Sequence, residues 1–260
     1  MFSTTPMKSS TPQSPKTPGP LAILLIGKGG CGKTTLALQF PEPGVLDLDQ
    51  NLDGPDRFIR QELKGKLSYV YLTPLLDDKG RPKDDGEIRD AIMEGLEELV
   101  DSPKVKTIII DSITKLSEML VLWRLKKEGR DVMEISMWQP WRSAIIKLLH
   151  KARSSGKHVI CSIHEKPVYA PRSGKSIEPA QKIAADISLP TRLADEFPFA
   201  FTDVWRAKKV ETRESIDYEL HCNSDDEAGN SMMSLKNSLG IDHKLSMDWG
   251  DLSPFLKGRL

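Results

Sequence analysis

Apolar residues along this chain follow two patterns: short unbroken runs, and longer stretches in which they recur every three or four positions. The first run, LAILLIG (21–27), ends in glycine and predicts a strand buried on both faces, as in a parallel sheet. A short helix is expected over Thr34 to Phe40, stopped by Pro41 and Pro43, which lack the amide hydrogen that a helix needs. GVLDLDQ (44–50) reads as a second buried strand with acids at its end, and SYVYLT (68–73) as a third. Residues 75–86 are polar and turn-rich. From Glu87 to Val100, the residues Ile88, Ala91, Ile92, Gly95, Leu96 and Leu99 share one helical face. VKTIIID (105–111) and HVICSIH (158–164) are further buried strands, with helices expected between them over Ile113 to Lys127 and Met137 to Arg153. In the second of these helices Trp138 and Trp141 recur with Ile145, Leu148, Leu149 and Ala152 at helical spacing, so both Trp read as core. Past residue 165 a long polar stretch leads to two antiparallel strands, near Ala200–Val210 and Ser215–Cys222, and then to an irregular end.

Strands alternating with helices predict an α/β fold: a mostly parallel central sheet flanked by helices, with antiparallel strands towards the C-terminus. Three segments follow from this pattern: a tail (1–20), a core (21–222) and an irregular extension (223–260). The tail holds four Ser, four Thr and five Pro and little that could be buried, so it reads as disordered, a flexible leader or a docking segment for a protein partner.

Composition narrows the function classes. Lys+Arg and Asp+Glu number 37 each, so a nucleic-acid contact would have to come from a local basic loop and not from overall charge. The three cysteines, Cys31, Cys161 and Cys222, are scattered, lack metal-ligand spacing and imply a reducing interior compartment, the cytoplasm. The run from Leu21 to Ile26 is too short for a membrane span, so no membrane partner is expected.

Between the first strand and its helix stands GKGGCGKTT (27–35). It satisfies G-x-x-x-x-G-K-[ST] in the right setting of strand, glycine turn and helix start. Gly27, Lys28, Gly29, Gly30, Cys31 and Gly32 supply backbone N–H groups for phosphate oxygens, followed by Lys33, Thr34 and Thr35 at the helix N-terminus. Lys33 is expected to neutralise the β- and γ-phosphates of ATP, and the Thr34 hydroxyl to ligate Mg²⁺. Asp111, ending an apolar strand expected to lie beside the loop, is the second metal-site acid; a helix cap at Asp111 or Ser112 is the alternative, and both roles can coexist. Asp49, with Asp47 as second choice, is placed to activate water, with surface capping as the plain alternative. His164 ends a core strand where it could touch the γ-phosphate.

Taken together, GKGGCGKTTLALQFPEPGVLDLDQ, TIIIDSIT and GKHVICSIHE resemble the RecA-like ATPases, and within them the phage-encoded nucleotide-binding proteins of single-strand annealing and recombination. LADEFPFAFTDVWRA and LKNSLGI fit as well, so the resemblance spans roughly residues 21 to 245. It implies that His164 senses the γ-phosphate and that the following loop contacts single-stranded DNA. That loop carries Lys166, Tyr169, Arg172, Lys175 and Lys182, basic residues around an aromatic; a solvated β-hairpin is the alternative. Asp49 stands where that class usually has Glu. The resemblance further implies a homo-oligomer, ring or filament, in the cytoplasm of a host cell, with a basic residue supplied in trans; Lys236 is the first candidate, Lys208 and Lys209 the others. Residues 28–34 also satisfy the K-G-G-x-G-K-[ST] loop of the ParA and MinD partition ATPases, in which Lys28 would reach a partner's phosphates. The short first helix and the SIT after Asp111 favour the RecA-like reading. A nucleotide-switched scaffold or assembly factor is a further alternative.

Overall fold

Alternate residues of the first strand, β1 (Ala22–Gly27), belong to opposite cores. The computed structural model describes residues 19–52, 69–74, 77, 83–169, 182–223, 235–241 and 244–259. The segment 1–18, which holds most of the expected tail, lies outside the described residues. After β1 come α1 (Lys33–Ala37), β2 (Pro43–Asp47), β3 (Val70–Leu72), α2 (Asp85–Asp101), β4 (Thr107–Asp111), α3 (Ile113–Glu128) and α4 (Ile135–Ser154). The chain continues through β5 (His158–Tyr169), β6 (Lys182–Ile187), α5 (Thr191–Glu196), β7 (Asp203–Glu211), β8 (Ile216–His221), β9 (Lys244–Ser246) and α6 (Trp249–Leu252).

The main sheet runs β3-β2-β4-β5-β1-β7-β8-β9, parallel from β3 to β7 and antiparallel from β7 to β9, with β6 pairing antiparallel to β5. The alternation of runs and helical stretches therefore translates into the expected α/β architecture. One core packs Ala22, Leu24 and Ile26 of β1 with α2, α3 and α4. The other packs Leu21, Ile23 and Leu25 with α1 and with Ile241, Met247, Leu252 and Leu256. The two expected core Trp meet edge to face at 5.3 Å, and the Trp141 indole donates to the Ser117 carbonyl.

Four local readings change. The Asp111 strand is not beside the loop strand: β5 lies between β4 and β1, a strand order that local periodicity does not encode. Helix α1 ends at Ala37, because the Gln39 and Phe40 amides turn back to the carbonyls of Leu36 and Ala37 in a tighter turn before Pro41. The strand expected to stop at His164 runs on to Tyr169 and returns as β6, so part of the polar stretch is a hairpin. Residues 244–259, expected to be irregular, add β9 to the sheet edge and bury Leu252 and Leu256.

Candidate functional site

The ends of the parallel strands β1, β2 and β4 lie on one edge of the sheet with His164 of β5, and the candidate site residues collect there. Gly27 closes β1 where any side chain would collide: a Cβ would sit 2.5 Å from the Ala207 carbonyl oxygen and 2.6 Å from the Cys31 sulfur. Gly30 and Gly32 turn the loop with φ of 73° and 89°, a left-handed backbone open to glycine at little cost. The turn delivers Lys33 to the start of α1, where its ammonium donates to the carbonyls of Gly27 (2.9 Å) and Lys28 (2.8 Å).

Asp111 reaches the loop across the intervening strand. Its carboxylate accepts from the Thr34 hydroxyl at 2.6 Å and from the Ser162 hydroxyl of β5. Burial raises its pKa, partly offset by those two hydroxyls. Asp47, also fully buried, is pushed up to about 6, first by burial and then by the neighbouring Asp111 and Asp49 carboxylates. Its oxygens accept the amides of Asn51 (3.1 Å) and Leu52 (2.9 Å), so Asp47 shapes the turn after β2. Asp49 is held from two sides: the Ser112 hydroxyl donates to one oxygen at 3.1 Å, and the His164 ring nitrogen Nε2 lies 3.2 Å from the other. The amides of Leu48 and Asp49 both donate to the Asp111 carbonyl, tying this turn to the end of β4. His164 is oriented in turn by its amide, which donates to the Thr114 hydroxyl at 3.0 Å.

These groups surround one cavity of about 580 Å³, lined by Gly29 to Thr35, Asp49, Asn51, Asp111, Lys115, His164 and Tyr218. The Thr34 hydroxyl and the buried Asp111 carboxylate are adjacent hard oxygen donors at the foot of a phosphate loop, the donor set that suits Mg²⁺ bound together with phosphates. The family model described as an AAA domain matches residues 20–244. The chain belongs to this AAA domain family (AAA_24). No curated protein matches it. Among solved structures, a KaiC-like protein from the hyperthermophilic archaeon Pyrococcus horikoshii OT3 is 15% identical, with a TM-score of 0.42 over 78% of this chain and 79% of that one. The flagellar accessory protein FlaH from Methanocaldococcus jannaschii is 13% identical, with a TM-score of 0.37 over 84% of each chain. Around its phosphate loop this AAA domain is a mostly parallel sheet flanked by helices, with antiparallel C-terminal strands.

Of the residues singled out in the sequence, the AAA domain brings together Gly29, Gly30, Cys31, Gly32, Lys33, Thr34, Thr35, Asp49, Asp111 and His164 in the cavity. Gly27 lies beneath the loop, and the Lys28 side chain is exposed outside the lining. Lys166, beyond His164, donates to the Leu189 carbonyl at 2.9 Å, and Tyr169 is exposed at the end of β5, in register with Lys182. Arg172 and Lys175 lie outside the described residues. Lys236 lies beside Val204 in the first half of β7, its ammonium on the carbonyls of Pro198 (2.9 Å) and Phe201 (3.3 Å), away from the cavity. Lys209 pairs with Glu211 at the far end of β7. Sequence reasoning missed Ser162, Lys115 and Tyr218. Ser162 was findable as the polar residue within HVICSIH; Tyr218 arrives only through the pairing of β8 with β7. No helix among the described residues is long and apolar enough to cross a membrane.

Proposed function

We propose that the protein binds ATP with Mg²⁺, hydrolyses it, and works as an oligomer on single-stranded DNA in recombination or annealing. The observation that carries the nucleotide half is the convergence of Lys33, Thr34, Asp111, Asp49 and His164 on one cavity behind a phosphate loop. Gly29 to Gly32 and Lys33 would hold the phosphates, while Thr34 and Asp111 would hold the metal, which would supply positive charge to offset that of the phosphates. Asp49, fixed by Ser112 and His164, would accept a proton from water as its oxygen bonds to the γ-phosphorus and the bond to the β-phosphate oxygen breaks. His164 would report the γ-phosphate along β5, because the same strand leads without a break into the hairpin that carries Lys166, Tyr169 and Lys182. That continuity supports the DNA half, together with the basic and aromatic make-up of the segment that includes Arg172 and Lys175.

ATP turnover measured with and without single-stranded DNA tests the reading. Stimulation by DNA is expected, and exchanging Arg172 and Lys175 for Ala should weaken DNA binding and flatten its salt dependence while leaving nucleotide affinity intact. Turnover unmoved by DNA, with no DNA binding at low salt, overturns the recombination role. It would favour the nucleotide-switched scaffold, which the zero net charge of the chain also supports.

A further inference from the structure

Helices α2 and α3 begin in opposite ways. At α2, Asp84 caps the helix and Glu87 at the third position completes a reciprocal capping box. At α3, Ser112 caps the helix, accepting the Lys115 amide at 3.2 Å, but the third position holds a lysine. A cation in the first turn opposes the helix dipole, and α3 has no acid there to offset it. Helix stability therefore gives no reason for Lys115. Its ion pair with Glu118, at 3.6 Å and exposed on both sides, contributes little in water.

The cavity gives a reason. Lys115 lines it alongside Asp49, Asp111 and His164, following directly on Thr114, whose hydroxyl fixes the His164 amide. Lys33 belongs to the loop side, its ammonium already lying over the Gly27 and Lys28 carbonyls. Without Lys115 the lining would set one lysine against two aspartates, a poor receptor for a magnesium-bound triphosphate that is itself anionic. We propose that Lys115 is a second phosphate-binding cation, supplied by the chain itself to the terminal phosphate of a bound nucleoside triphosphate. It leaves the loose pair with Glu118 when that phosphate arrives, so the start of α3 distinguishes triphosphate from diphosphate. The proposal rests on the nucleotide reading above and adds a residue to it. Neutralisation of the terminal phosphate then does not wait for a neighbouring subunit.

The test uses the full chain with Mg²⁺, titrated separately with a non-hydrolysable ATP analogue and with ADP. Lys115→Ala is expected to weaken the triphosphate analogue roughly 10- to 100-fold, as for loss of a hydrogen bond to a charged group, and ADP by less than about threefold. Lys115→Arg should retain most of the discrimination. Because the substitution removes a cation from a helix N-terminus, the melting temperature of the Ala variant should match or exceed that of the wild type. Equal losses for both nucleotides, or an unchanged triphosphate affinity, overturn the proposal while leaving the nucleotide site standing. A wild type that binds neither nucleotide overturns the nucleotide reading and this proposal with it.

Discussion

Two histidines of β5, His158 and His164, have opposite surroundings. His158, at the start, is buried, and its Nδ1 accepts the Leu21 amide at 3.1 Å; burial holds its pKa below the usual value, so it is neutral. Its neighbours at that edge are satisfied inside the chain. Lys157 donates to the carbonyls of Leu99 and Ser102, Lys236 to those of Pro198 and Phe201, and Asp203 accepts the amide and hydroxyl of Ser238. Further along the strand, level with the end of β1, His164 faces a cavity with Asp49, beside an Asp111 whose burial disfavours its charge. One edge closes its own hydrogen bonds. The other holds buried carboxylates that an external cation would relieve, the pattern of a site that gives up stability for function.

Four substitutions sharpen the contrast. At the cavity edge, Asp49→Asn is expected to lower ATP turnover roughly 100-fold or more, the scale of a lost general base, with nucleotide affinity kept. Steady-state turnover beside a binding titration checks it, and unchanged turnover removes Asp49 from the chemistry. Asp111→Asn should lower Mg²⁺-dependent turnover by about 10- to 100-fold while raising the melting temperature of the free protein, because it removes a buried charge. A variant that loses both activity and stability would make Asp111 a structural acid.

The smallest effect belongs to the closed edge. A histidine whose folded pKa lies below its unfolded value contributes stability that is present above about pH 6.5 and lost as the pH falls, since the unfolded chain binds the proton more readily. His158→Asn should therefore cost about 1 kcal/mol near neutral pH, and less by about pH 5.5, in urea denaturation. Asp47 has the opposite sign: with its carboxyl pushed up to about 6, its charge costs stability above that pH, and the cost disappears as the pH falls towards 4. Asp47→Asn should accordingly flatten the profile over that window, and an unaltered profile would show that its environment does not penalise the charge.

Much of the cavity edge was legible because each element announces itself locally. GKGGCGKTT, TIIID and HVICSIH are short runs whose ends carry the functional side chains, and the register of parallel strands brings those ends level. Strand order was not legible. That β5 enters between β1 and β4, placing the Ser162 hydroxyl between the loop strand and Asp111, depends on a crossover through α3 and α4 that no window of sequence contains. Tyr218 and the packing of residues 244–259 were hidden for the same reason, since both depend on pairing with β7 and β8. Lys115 was hidden differently: in DSITK it looks like an ordinary solvated lysine until the helix start is seen to face the cavity.

The most direct test of the central claim, that the open edge is a magnesium–ATP site, is a calorimetric titration of Mg²⁺-ATP into the wild type and Lys33→Ala. Saturable binding by the wild type, abolished or weakened roughly 100-fold in the variant, is the predicted result, since the proposed site assigns the phosphate charge to Lys33 of the loop. Equal affinity in the two proteins would contradict it.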